Sequence, residues 1–256
     1  SPSVYIADQA SGFGDSKLYM RGFDQSNTAF LLNGQPMNGM DNGSVYWSNW
    51  QSVSDIATVI DAQRGLGSSK LAISSIGGTV NIVTKATDKK EGGFVRYFAG
   101  NDSYQKQTVG YNTGMKGKWG ASFVFDNWSA HRSFARGTEG KGQSYFVSVG
   151  FKPNDRHTFN LMIFGAPQQH DQNYSKPMET AYRNIKVDGV NKRIVATPGY
   201  DMTGRIGNSN YGFYNGQAMS AKTNYYHKPV ANLNWDWAIN EKMSLSTVIY
   251  ASTGTG

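Results

Sequence analysis

Ser74-Ser75-Ile76-Gly77-Gly78-Thr79-Val80-Asn81-Ile82-Val83-Thr84-Lys85 sets two adjacent glycines ahead of a β-rich alternating run that stops at a lysine. Glycine reaches backbone angles closed to other residues and lets neighbouring chain approach closely. Gly77-Gly78 therefore reads as a hard bend, and Thr79–Thr84 as a short strand rich in β-formers. Lys85 then marks a boundary, because the sequence on its two sides follows different patterns.

On the N-terminal side the reading is α+β and compact over 1–85. Leu18–Phe23 and Ala29–Asn33 read as short strands separated by the turn formers Asp24-Gln25-Ser26-Asn27, and Asn33-Gly34 as a turn needing positive φ. Val53–Gln63 has the spacing of a helix running into a strand. Ser68–Ser75 reads as a short helix capped by Ser68 or Ser69.

After a linker over 86–91, the chain from 92 to 256 reads as about seven strands of period two. Gln105–Lys116 sets Val109, Tyr111 and Met115 against Lys106, Thr108 and Asn112. Trp119–Trp128 sets Trp119, Phe123 and Phe125 against Gly120, Ser122 and Asp126. Ser144–Lys152, His157–Ala166, Thr223–Ile239 and Met243–Ser252 alternate likewise, with Leu233, Trp235 and Trp237 facing away from Asn232, Asn234 and Asp236. Tight turns at Gly117-Lys118, Pro153-Asn154-Asp155 and Asn240-Glu241-Lys242 alternate with longer links, notably 127–143 and 167–222. All tight turns thus fall at one end of the sheet, an asymmetry of transmembrane β-barrels. Trp119, Phe151, Phe159 and Trp237 lie near those turns on the apolar face, where an interfacial aromatic girdle belongs.

Composition excludes several classes. The 256 residues contain no cysteine, so neither a disulfide framework nor a cysteine zinc site is available. No apolar run nears the roughly 20 residues of a membrane helix, whereas barrel strands need only about 10 alternating residues. The net charge of +7 is dispersed and forms no basic block, so no nucleic-acid partner is expected. An odd set of strands would leave unpaired edges, which lipid does not tolerate. Either another chain completes the barrel or, the favoured expectation, the chain is a piece of a longer protein whose remaining strands close it.

Four motifs occur in order: Leu18-Tyr19-Met20-Arg21-Gly22-Phe23, Leu31-Leu32-Asn33-Gly34-Gln35-Pro36, Gln63-Arg64-Gly65, and Ile76 to Lys85. Together they resemble the plug domain of TonB-dependent outer-membrane receptors. Arg136-Gly137-Thr138, Gly165-Ala166-Pro167-Gln168 and His170-Asp171-Gln172 resemble the barrel start of receptors of the Bacteroidota type. The resemblance implies an α+β plug domain followed by antiparallel transmembrane β-barrel strands, part of a 22-stranded barrel. It also implies a bacterial outer-membrane location and uptake of a siderophore, glycan, cobalamin-like compound or peptide, driven through TonB. The TonB-contacting segment is expected upstream of Ser1. Outer-membrane lipid, lipopolysaccharide and a surface lipoprotein are the other partners considered.

Arg21 and Arg64 are expected to seat the plug against barrel carboxylates, aided by Gly77 and Gly78. Candidate ligand residues are Gln25, Ser26, Asn27, Asn42, Tyr46, Trp47 and Trp50 on plug loops. Trp128, His131, Gln169, His170 and Tyr174 are candidates on the outer loops, since aromatics with amides suit stacking and hydrogen bonding. No catalytic residue, metal site or cofactor is expected. The four histidines lack metal spacing, and no Gly-x-Ser-x-Gly elbow occurs. A structural or adhesive barrel subunit without transport is the competing reading, distinguished by the absence of energised uptake.

Overall fold

The computed structural model describes residues 4–8, 16–64, 75–131, 137–172, 182–195 and 210–256. β1 (Val4–Asp8) and β2 (Ser16–Met20) form an antiparallel pair. A mixed sheet follows, built from β3 (Thr28–Leu32), β4 (Gln35–Pro36), β5 (Val59–Arg64) and β6 (Gly78–Val83) in the order β4-β3-β6-β5. The Asn33-Gly34 turn between β3 and β4 has φ of 49° and 82°, as its sequence requires. The single-turn helix α1 (Val53–Ile56) leads into β5, matching the helix-to-strand reading of that stretch. Of the helix expected over Ser68–Ser75, only Ser75 lies among the described residues.

The opening bend explains how β6 reaches its place. β6 runs parallel to β3 and antiparallel to β5, in the middle of the sheet. Gly78 has φ of 137°, and the Gly77 N–H donates to the Asn27 carbonyl at 2.9 Å. A Cβ on Gly77 would sit 2.6 Å from Thr28 Oγ1 and 3.1 Å from the Asn27 carbonyl oxygen. Gly77→Ala is therefore expected to destabilise this sheet by about 1–3 kcal/mol through overpacking. Faster amide exchange in β3 and β6, with the distant strands unchanged, is the check.

The second half is a sheet of long strands: β7 (Gly92–Ala99), β8 (Gln105–Lys116), β9 (Trp119–His131), β10 (Glu139–Asn154) and β11 (His157–Gly165). β12 (Gln168–Asp171) continues beside β10. β13 (Tyr182–Val187) and β14 (Val190–Val195) make one hairpin, and β15 (Tyr211–Tyr214) and β16 (Gln217–Ser220) another. β17 (Thr223–Tyr226) pairs with β12, and β18 (Val230–Asn240) and β19 (Met243–Ser252) complete the set. The main path is β19-β18-β11-β10-β9-β8-β7, seven antiparallel strands with β7 and β19 at the edges.

Two links differ from their sequence reading. Asn127–His131 and Glu139–Gln143, expected within the 127–143 loop, continue as paired strand. Among the described residues, the 167–222 link, read as a loop, carries five short strands, four of them in hairpins whose Asp188-Gly189 and Asn215-Gly216 turns have positive φ. Thr223–Ile239, read as one strand, divides at Pro229, which has no N–H to give a ladder.

Burial in this sheet is inverted relative to a soluble protein. One register row joins Tyr111, Phe123, Val147, Ile163 and Ala231 across five strands. Its first four members are 39–48% exposed. The adjacent row, Ser122, Ser148, Met162 and Asn232, is buried, as are Asp126, Ser144, Asn160 and Asn234 on the same face. What covers that polar face is the N-terminal domain. Phe30, Leu32, Val45, Trp50, Ile56 and Ile82 form one core with Val124, Phe146, Met162, Phe164 and Val230 of the sheet. Trp50 stacks on Phe164 with centroids 5.9 Å apart.

Candidate functional site

The junction between globule and wall is held by polar bonds as well as by that core. The Asn234 side-chain amide donates to the Asn33 carbonyl at 2.9 Å, Asn232 to Gln35 at 3.2 Å, and Gln168 to the Ser48 carbonyl at 2.6 Å. These bonds satisfy groups that burial would otherwise penalise. Two sets of ion pairs span the junction. Asp55, on α1, accepts from Lys106 at 2.6 Å and Arg96 at 2.7 Å, and Lys106 also lies 3.7 Å from Asp126. Lys85 pairs with Asp236 near the tight-turn end.

The expected Arg21 seating pair has no counterpart among the described residues. Arg21 is exposed with φ of 55° and makes no ion pair among the described residues. At Asp55 the polarity is reversed, the globule supplying the carboxylate and the wall the cations. The Arg64 side chain lies outside the described residues, although its backbone pairs with Gly78. Gly77 and Gly78 act within the globule's own sheet.

Where the linker passes beneath the globule, Lys89 donates to the Ile56 carbonyl at 3.0 Å and Ser122 Oγ at 3.3 Å. Its ammonium also lies 5.0 Å from the Phe146 ring centre. Burial pulls its pKa down to about 8. Below pH 8 the ammonium is charged whether docked or free, so the full burial cost is present. Between about 8 and 10.5 the docked form has released its proton while the undocked form still holds one. Docking is therefore expected to strengthen as pH rises through that window. Lys89→Met should flatten the rise, read as the pH dependence of amide exchange in α1.

The ligand candidates separate into three groups. Gln25 and Trp50 are buried and structural: Gln25 donates to the Val45 carbonyl at 3.2 Å and accepts from the Trp47 indole at 3.2 Å. Trp47 also packs edge-on to Phe30, and Trp128 is buried beside Tyr104 and Ala130. A second group stays accessible. Ser26, Asn27, Asn42 and Tyr46 are exposed, with the Asn42 amide donating to the Tyr46 hydroxyl at 2.7 Å. Ser26 and one edge of Trp50 line a cleft of about 550 Å³ between the Gln35–Gly43 loop and the ends of β18 and β19, with Met37, Met40, Lys228 and Tyr250. The third group gathers at the far end of β9, β10 and β12. There His131, Gln169 and His170 line a cleft of about 430 Å³ with Glu139 and Lys141.

Tyr174 lies outside the described residues. Met37, Met40 and Tyr250 were not foreseen. Tyr250 was legible only as an alternating strand residue, and its approach to the globule depends on tertiary placement. His170 packs edge-on to Tyr226, while the Asp171 carboxylate accepts from the Thr223 hydroxyl. Among the described residues no cluster of three His, Cys, Asp or Glu is placed to hold a metal.

A globule lodged on the polar concave face of an outwardly apolar sheet defines a plugged barrel wall. Residues 1–79 match the TonB-dependent Receptor Plug Domain family. The chain as a whole has the fold of a plug domain joined to strands of a partial β-barrel. The open form of the ferric-catecholate import receptor Fiu from E. coli K12 is similar at TM-score 0.69 and 14% identity, over 98% of this chain and 34% of that one. The siderophore receptor PiuA from Acinetobacter baumannii gives 0.66 and 12%, over 98% and 32%. The unliganded ferric citrate transporter FecA gives 0.67 and 14%, over 98% and 36%. The chain thus spans about a third of the length of these receptors. No match was found among curated protein sequences.

Proposed function

We propose that the chain is the plug and adjoining wall of an outer-membrane receptor that imports a scarce, bulky solute. The observation that carries this reading is the inverted burial: apolar side chains face out, amides and hydroxyls face in, and the plug covers them. Such a wall is suited to lipid on one side and to a displaceable plug on the other. Energy would come from the inner-membrane proton gradient through TonB, acting on a segment upstream of Ser1. The long-link end would face outward, placing both clefts on the capture side. Ser26, Met40 and Tyr250 would meet the solute at one cleft, His131 and Gln169 at the other, and the exposed Asn42 and Tyr46 would meet it outside either cleft. Arg21 and Arg64 would face carboxylates on wall strands beyond this chain. The barrel motifs favour the Bacteroidota type, in which a surface lipoprotein could cap the mouth.

Siderophores lead the substrate classes, since the similar structures include a siderophore receptor and a ferric-catecholate import receptor. The test is uptake of labelled ferric siderophores by cells carrying the full-length protein. Uptake is expected to stop when the proton gradient is collapsed, while surface binding persists. Binding and uptake that are both indifferent to the gradient, with stable copurification of surface proteins, would assign a structural subunit instead.

A further inference from the structure

An aromatic ladder crosses the outward face next to the tight turns. Trp119 stacks on Phe151 at 4.1 Å, Phe151 on Phe159 at 6.3 Å, Phe159 on Trp235 at 5.9 Å and Trp235 on Trp237 at 5.9 Å. The Trp235 indole also donates to His157 Nδ1 at 3.1 Å, which fixes that histidine's orientation within the ladder. The ladder runs without a break over β9, β10, β11 and β18. Directly past it, each of the three tight turns presents a cation: Lys118, Arg156 and Lys242.

All three are exposed, and none forms an ion pair among the described residues. Carboxylates near these turns are mostly engaged elsewhere: Glu91 pairs with Lys116 and Asp155 with Lys152, leaving Glu241 beside Lys242. Successive hairpins lie two strand spacings apart, so the cations recur about every 10 Å along the rim.

We propose that this rim binds anionic phospholipid headgroups in the leaflet at the tight-turn end. The proposal rests on the reading of these strands as lipid-embedded. Aromatic rings settle at headgroup depth, which places the three turns level with the phosphates. Each uncompensated cation there favours an anionic over a zwitterionic lipid. Continuity with the ladder argues against a soluble acidic partner, which would have to lie pressed against the bilayer to reach all three. The ladder holds the acyl region of a boundary lipid in place, and the cations select its headgroup.

The test uses the full-length protein in phosphatidylcholine vesicles containing trace spin-labelled phosphatidylglycerol or spin-labelled phosphatidylcholine. Electron paramagnetic resonance separates the motionally restricted boundary lipid from the bulk. The wild type is expected to select phosphatidylglycerol by about threefold or more, falling with added salt. The variant Lys118→Gln/Arg156→Gln/Lys242→Gln should lose that selectivity while keeping the same amount of boundary lipid. Equal selectivity in wild type and variant would move the anionic lipid to the opposite rim and overturn the proposal. Boundary lipid without selectivity in the wild type would also overturn it, leaving the barrel reading intact. Absence of any restricted lipid would sink the barrel reading itself.

Discussion

Val147→Arg is expected to cost about 2–4 kcal/mol of folding into a bilayer, although Val147 is 48% exposed. On a water-soluble sheet, a half-exposed valine tolerates arginine to within about 0.5 kcal/mol. The difference lies in the solvent. Val147 sits in the outward row between Phe123 and Ile163, four residues along β10 from the ladder ring Phe151. A guanidinium there must be dehydrated or must distort the bilayer, since Phe123 and Ile163 on either side offer no acceptor to receive it. Gln143→Arg is the matched control, on the outward face of the same strand but beyond the apolar rows. It should cost about 0–1 kcal/mol. Urea titration of the full-length protein in vesicles, followed by tryptophan fluorescence, compares the two. Equal tolerance of both substitutions would mean that the sheet faces water, and the import reading would fall with it.

Alternation and turn chemistry made much of this architecture readable. Gln105–Lys116 is a strand with those bounds, Asn33-Gly34 and Gly117 adopt the positive φ that their sequences require, and Gly77-Gly78 opens the plug's central strand. These are local properties, set within a few residues. What period two does not disclose is the substance on each side. Ser122, Ser148, Asn160 and Asn232 alternate with apolar residues just as a solvated row would, yet each is buried. Long links also misled where short strands extend a ladder. Gly140 and Gly142 continue β10 because β9 and β12 pair with them, and that pairing is tertiary. Trp50 and Trp128 drew attention as ligand platforms because of ring size, but large rings more often fill cores, and both do. The seating pairs escaped for a related reason. Lys106 and Asp55 are 51 residues apart, and Lys85 and Asp236 are 151 apart. One signal was available: Lys106 and Asp126 fall on the polar face of strands whose other face is lipid-like, and a charge so placed must point inward.

Asp55→Asn is expected to loosen the plug by about 2–3 kcal/mol, less than the 3–5 kcal/mol typical of a fully buried broken pair. Both Asp55 and Lys106 side chains retain 16% exposure, which moderates the penalty. Removing the carboxylate leaves the Lys106 ammonium with Ser52 Oγ at 2.7 Å and Asp126 at 3.7 Å. Asp126 is fully buried and accepts from Ser144 through Oδ2, so it can take over only part of the role of Asp55, and only if the 3.7 Å gap to Lys106 closes. Arg96, 55% exposed, should contribute only about 0–1 kcal/mol. The consequence is directional: loss of Asp55 frees α1 and the start of β5, whereas the barrel strands keep their ladder bonds. Amide exchange in the full-length protein should accordingly rise at Val53–Ile56 and remain unchanged in β10 and β11. The double variant Asp55→Asn/Lys106→Gln removes the orphaned cation together with its partner and should recover much of the protection. If the double variant is no better than the single one, Lys106 is not what Asp55 holds. If neither changes exchange in α1, plug seating rests on the Trp50–Phe164 stack and the amide bonds alone. A plug held to the wall by ion pairs and side-chain amide bonds can be released by breaking those contacts while the wall's own ladder hydrogen bonds stay intact.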